Sequence, residues 1–186
     1  MRANAVANRE RILSAAGEVF GRLGAAGSTE EVAARAGVGI ATVFRHFPTK
    51  AELIEAALLR HFEELATTVA DRVDAPDAER ALVDTVETMI KTGATKLTLA
   101  SLLPDGTFPP SVREASDRVR AMMRQLVARA AREGGVRDDV TVDEIYLLVR
   151  ALAQTAAVSS PPPATLDAAI AVVLDGLRGE RRRERR

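Results

Sequence analysis

The sequence predicts an all-α protein, and three observations carry that expectation. Apolar residues recur at three- and four-residue intervals along nearly the whole chain. No stretch alternates apolar and polar residues as a half-buried strand would. Capping residues, glycines and prolines divide the pattern into about nine helices. The 186 residues, 47% apolar and 28% charged, suit one or two soluble globular domains with a buried core.

Taken in order, the first helix is expected over residues 9–23, with Asn8 as its cap and Gly24 as its stop. Ile12, Ala15, Ala16, Val19, Phe20 and Leu23 form its buried stripe. Residues 28–50, STEEVAARAGVGIATVFRHFPTK, then read as two short helices joined by a glycine turn. Ser28 caps the first and Glu31, three residues later, completes a capping box. Val32, Ala33 and Ala36 share one face of it. Gly37 supplies the left-handed residue that ends it, Val38 plugs the turn, and Gly39 caps the next helix. Val43 and Phe47, four apart, pack inward. Pro48 ends this helix and Thr49 caps the next, which Lys50 opens.

Two short helices around a tight turn form either an ordinary core hairpin or a helix-turn-helix that projects into a DNA major groove about 12 Å wide. The outward positions favour the second: Thr42, Arg45 and His46 offer hydrogen-bonding groups within one groove contact, and arginine is the commonest reader of guanine.

The stretch from Asn8 to about Leu65 resembles the N-terminal DNA-binding domain of the tetracycline-repressor (TetR) family of transcriptional regulators. The resemblance lies in RERILSAAGEVFGRLG, EEVAARAGVGIATVFRHF and PTKAELI, in order and with the family's spacing. It implies that Ser28, Thr29, Gly39, Ile40, Ala41, Thr42, Phe44, Arg45, His46 and Lys50 make up the DNA-binding surface. Thr42 stands at the family's threonine position, Arg45 and His46 follow it, and Lys50 resembles the family's phosphate-binding lysine at a helix N-terminus. Two positions depart from the pattern. Phe44 replaces the usual tyrosine, leaving stacking or methyl contact, and Ala41 replaces a common glycine. Ile40 is apolar as well and is expected to meet thymine methyls.

Beyond the motif, a fourth helix over residues 50–73 carries Leu53, Ile54, Ala57, Leu58, Phe62 and Leu65 and spans roughly 35 Å. A break is expected at residues 75–77. Residues 77–103 follow with Leu82, Val86, Met89 and Ile90 on one stripe, kinked or split at Thr92 and Gly93. LPDGTFPP at 103–110 is a loop. Residues 111–133, 141–158 and 164–177 complete the helices. The division expected is a DNA-binding domain over 1–50, linked by the helix of 50–73 to a ligand-binding and dimerisation domain over 51–186.

Residues 168–174, AAIAVVL, are apolar all round, as if two faces are covered. With Ile145, Leu148, Val149 and Leu152, and the small Ala153, Ala156 and Ala157, they suggest half of a homodimer interface over about residues 141 to 177. A doubly covered core helix in a monomer is the other reading. The resemblance favours the dimer, because half-sites of a pseudo-palindromic double-stranded operator lie about 34 to 36 Å apart and demand two-fold symmetry.

The resemblance also implies a pocket for an unidentified small-molecule effector in the middle helices. Met89, Thr92, Phe108, Met122, Met123 and Leu126 are its candidate lining, with Tyr146 and Arg150 as polar handles, although methionines at helical spacing also suit plain core. The implied mechanism is a repressor released from its operator by that effector.

Charge is unevenly spread. Residues 1–61 hold eight basic and six acidic side chains, residues 62–177 twelve and eighteen, and residues 178–186 six and two. Specific contacts and dimerisation, not bulk charge, are therefore expected to supply affinity for DNA. The arginine-rich end is expected to be solvated. An enzyme is not expected: there is no cysteine, His46 and His61 are the two histidines, and no HExxH, phosphate-binding glycine loop or nucleophile elbow occurs. No catalytic residue, cofactor or metal site is therefore assigned. Apolar runs are too short to cross a membrane and no signal-peptide core opens the chain, so cytoplasmic residence is expected. A helical scaffold or adaptor that keeps the motif without binding DNA is the alternative function.

Overall fold

In a computed structural model, which describes residues 2–178, those residues are predominantly helical. Eight α-helices are present among the described residues: α1 (Arg2–Leu23), α2 (Thr29–Ala36), α3 (Ile40–His46), α4 (Lys50–Val73), α5 (Ala78–Ser101), α6 (Pro110–Arg132), α7 (Val142–Ser159) and α8 (Pro163–Leu177), with 3₁₀ turns at Gly24–Ala26 and Pro104–Gly106. The arginine-rich end falls outside the described residues beyond Arg178.

Two boundaries differ from expectation. Helix α1 begins at Arg2, so Asn8 lies inside it and not at its cap. The preceding residues are rich in alanine, the best helix former, and continue the helix for several residues upstream. Asn8 instead accepts a hydrogen bond through Oδ1 from Arg11 Nη2 at 2.5 Å, one turn on.

Helix α5 runs unbroken through Thr92 and Gly93, giving eight helices where about nine were expected. The glycine serves packing, not a break: a Cβ at Gly93 would stand 2.6 Å from the Ala153 Cβ of α7. Missing that atom lets the two helices approach closely, and the packing outweighs a propensity cost of about 1 kcal/mol.

The chain divides into two compact units, one of residues 1–63 with 95–115, the other of residues 64–94 with 116–186. In packing, the end of α5, the loop after it and the start of α6 join the helix-turn-helix. In this first unit Phe108 stands edge-on to Phe62 at 5.7 Å, and Ser111 donates to Glu55 of α4 at 3.1 Å. The unit's core is Ile12, Ala16 and Phe20 of α1, Val32 of α2, Val43 of α3 and Leu53 and Leu58 of α4, all fully buried.

The second unit packs Leu82, Val86, Ile90, Met123, Leu126, Ile145 and Leu174 as its core. Arg129 of α6 closes the end of α4 within it, donating to the carbonyl oxygens of Val73 at 2.5 Å and of Ala75. The Val73 carbonyl is one of the unpaired acceptors that every helix end exposes, and a cation there also suits the helix dipole. Helix α7 opens with Thr141 and Glu144, the Thr141 N–H and hydroxyl both donating to Glu144 Oε2 at 2.6 Å.

Candidate nucleic-acid interface

The motif is built as its residues require. The Glu31 N–H donates to Ser28 Oγ at 3.1 Å, and the Ser28 N–H donates to Glu31 Oε2 at 2.8 Å, so two orphan donors at the start of α2 are satisfied reciprocally. Gly37 closes α2 at φ 65°, a conformation that a side chain would strain. Its N–H and that of Val38 return to carbonyls of the last turn. The chain then leaves at Gly39 directly into α3.

Helix α3 turns Val43 inward with no exposure, and Phe47 at its end is 4% exposed. The Arg9 guanidinium of α1 lies 5.3 Å from the Phe47 ring centre and holds that end of the motif. The opposite face is open. Ile40 is 36% and Phe44 43% exposed, Ala41 and Arg45 are exposed, and Thr42 and His46 are half-buried. Arg45 has no intramolecular partner among the described residues. Arg45 thus stands on the open face of a short helix, with Thr42 half-buried on the same helix.

Ser28 and Thr29 sit half-buried at the start of α2, beside Glu30 and Glu31. Thr29 donates to Glu30 at 3.3 Å. The two carboxylates make this helix end less welcoming to phosphate than a neutral one.

Lys50 is placed differently from a lysine standing free for phosphate. Its ammonium donates to the carbonyls of Ala25 at 3.2 Å and Gly27 at 2.6 Å, and lies 5.1 Å from the Phe20 ring centre. Two of its three N–H groups thus pin the 3₁₀ turn before α2 to the first turn of α4. Thr49 caps that turn, its hydroxyl accepting from the Glu52 N–H at 3.1 Å.

The candidate effector residues do not converge in the same way. Met123 and Leu126 are fully buried and Met89 nearly so, as core, with Met122 half-buried. Thr92 is exposed and returns its hydroxyl to the Thr88 carbonyl at 2.9 Å, and Arg150 is exposed too. Phe108 belongs to the first unit, where it borders an open groove of about 360 Å³ with Leu103, Pro104 and Glu52. Tyr146 stands apart: its hydroxyl is buried and has no hydrogen-bond partner among the described residues. The Arg120 guanidinium lies 4.8 Å from its ring centre, and burial pushes the phenol up to about 12. It therefore stays protonated, with one donor unused.

The last two helices split their apolar residues between two faces. Ile145, Val149 and Ala153 of α7 and Ile170 and Leu174 of α8 are buried within the unit. Leu147 and Val158 of α7 and Val172 of α8 are 68%, 74% and 72% exposed, and Leu148 is 38% exposed. The sequence reading included Val172, in the run 168–174, and Leu148 but did not single out Leu147 or Val158. Leu147 and Val158 are eleven residues apart, three helical turns, and that spacing was a readable signal.

His61 of α4 introduces a pH dependence. It is half-buried, and burial with the nearby Lys96 charge lowers its pKa to about 4. The unfolded chain takes up this proton near pH 6.5, while the folded chain does so only near pH 4. Stability is therefore whole above pH 6.5 and declines as pH falls toward 4, by a total of about 3 kcal/mol. Urea midpoints measured from pH 7 to pH 5 should fall for the native chain. A His61→Gln variant should flatten that interval, and an unchanged slope would contradict the assignment.

Comparison with known proteins agrees with this geometry. Residues 12–57 match the family described as bacterial regulatory proteins, tetR family, and residues 77–179 match the C-terminal domain of SbtR-like transcriptional regulators. No curated protein matches the chain in sequence. Among solved structures, a TetR transcription regulatory protein from Mycobacterium vanbaalenii is 29% identical, with 95% of this chain and 98% of that one covered at a TM-score of 0.75. A TetR transcriptional regulator from Streptomyces coelicolor is 27% identical over 92% and 99% of the two chains, also at 0.75. A γ-butyrolactone receptor, 22% identical over 94% and 90% at a TM-score of 0.63, shares the fold. With matches to both its N-terminal and C-terminal domain models, the chain belongs to the TetR family of bacterial transcriptional regulators.

Proposed function

We propose that the protein is a cytoplasmic repressor whose two identical subunits lay their α3 helices into successive major grooves of a pseudo-palindromic operator. The observation that carries this reading is the open face of α3, where Arg45 stands exposed beside Thr42 over a fully buried Val43. Described helices hold no segment long and apolar enough to cross a membrane. Functionally the chain divides into a DNA-binding head over residues 1–50 and a ligand-binding and dimerisation body over residues 51–186. Pairing runs through α7 and α8, whose outer faces leave Leu147, Val158 and Val172 uncovered.

A small molecule that binds the body and favours a spacing of the heads unsuited to the operator lowers affinity for DNA. Support for such an effector comes from the unpartnered Tyr146 hydroxyl, since a buried donor left unpaired costs about 1 to 3 kcal/mol that a ligand's acceptor would recover.

Titration of the full-length protein into its own upstream DNA, against a scrambled duplex, tests the operator reading. An Arg45→Ala variant should lose about 5- to 150-fold on the specific duplex, the value of one good base contact, and little on the scrambled one. Equal binding to both duplexes by the native protein would favour a scaffold instead.

A further inference from the structure

Two large apolar side chains of α3, Ile40 and Phe44, are exposed. Ile40 and Phe44 are four residues apart, so they lie one above the other on the same side of the helix. Neither can exchange a hydrogen bond with a base edge, and both present carbon to solvent beside the exposed Arg45. Leaving a phenylalanine 43% exposed on this helix is unfavourable in water. It becomes favourable only where the partner offers carbon in return. In the major groove that carbon is the C5-methyl group of thymine; guanine and adenine edges offer polar groups there instead.

Resting on the operator reading above, we propose that Ile40 and Phe44 form a methyl-reading strip that selects operators with two thymines about two base steps apart in each half-site. The spacing follows from helix geometry. Four residues advance α3 by about 6 Å, and neighbouring base pairs are about 3.4 Å apart. Each side chain thus meets its own methyl group, and Arg45 supplies the polar contact alongside. Phe44 carries no hydroxyl, so its ring has only carbon to offer a base. Ala41, exposed beside the pair, carries only a methyl group and leaves the approach open.

The test uses the full-length protein and duplexes enriched from a random library by repeated binding. Each thymine of the enriched half-site is then replaced singly by deoxyuridine, which keeps pairing and the O4 acceptor but lacks the methyl group. Binding measured by fluorescence anisotropy should weaken about four-fold at each of two positions and about fifteen-fold when both are replaced. Ile40→Ala should abolish the penalty at one position and Phe44→Ala at the other. Phe44→Leu, which keeps a carbon surface, should retain most of its own. Both sites are exposed, and circular dichroism melts matching the native chain confirm that the variants are folded. Enriched duplexes in which deoxyuridine has no effect overturn the proposal, as do penalties that survive unchanged in both alanine variants. A selection that enriches no sequence overturns the operator reading along with it.

Discussion

A Leu147→Glu, Val172→Glu double variant is expected to be monomeric and to bind its operator at least about a hundred-fold more weakly than the native chain. Leu147 on α7 and Val172 on α8 are 68% and 72% exposed within one subunit, so neither supports the subunit's own core. Their glutamates remain solvated in the monomer and cost little there. In the proposed pair the same carboxylates would be buried between like charges, a penalty that a two-fold interface applies twice. Two heads joined in one particle gain on the order of 10² to 10⁴ in avidity over one head, and the variant forfeits that factor. Sedimentation equilibrium reads the first effect and operator titration the second. The helix content should stay unchanged, since Ile145, Val149, Ile170 and Leu174 continue to hold α7 and α8 in place. A variant that stays dimeric and binds normally would remove α7 and α8 from the interface.

Phe20→Ala is expected to cost about 3 to 5 kcal/mol, enough to unfold the DNA-binding head in a large part of the population. Phe20 has no solvent exposure and is the largest fully buried side chain of the protein's described residues. Its Cδ1 would stand only 2.9 Å from a Cβ at Gly27, so the chain is pressed against the ring where α2 is about to begin. The ring also carries the Lys50 ammonium at 5.1 Å, which in turn holds the carbonyls of Ala25 and Gly27. Removing the ring opens a cavity and releases that tie together, so α2 and α3 lose their support from below. Urea denaturation followed by helix content measures the cost, and operator binding should fall with it. A loss under about 1 kcal/mol would show that the neighbouring side chains collapse into the space.

The motif was legible because every part of it is local. Ser28 and Glu31 satisfy each other's backbone groups three residues apart, Gly37 is needed wherever a helix ends in the left-handed region, and Val43 with Phe47 defines the inward face by simple periodicity. Helix α1 was legible except for its start, because an alanine-rich approach carries no stop signal. At Gly93 local reasoning failed. Propensity alone marks a glycine inside a helix as a weak point, and nothing in the neighbouring residues announces that Ala153, sixty positions later, occupies the space of the missing Cβ.

Lys50 and the last two helices show the same limit from the functional side. A lysine opening a helix reads as a ligand for phosphate, yet its ammonium found two carbonyl oxygens more than twenty residues earlier in the chain. In LLV at 147–149 the composition says apolar, but whether a given residue faces its own core or outward depends on how α7 rotates against its neighbours. Val149 went inward and Leu147 outward.

Taken alone, the amino-acid order determined the all-helical class, the helix-turn-helix with its exposed Arg45, and the family. Those properties follow from hydrogen bonds and side-chain periods that close within one or two turns. Tertiary structure decided that α5 continues through Gly93, that residues 95–115 pack with the head, that Lys50 turns inward, and that Tyr146 keeps a buried hydroxyl unpaired. Each of these depends on contacts between residues far apart in the chain, whose strength is set by shape and burial that no local pattern encodes.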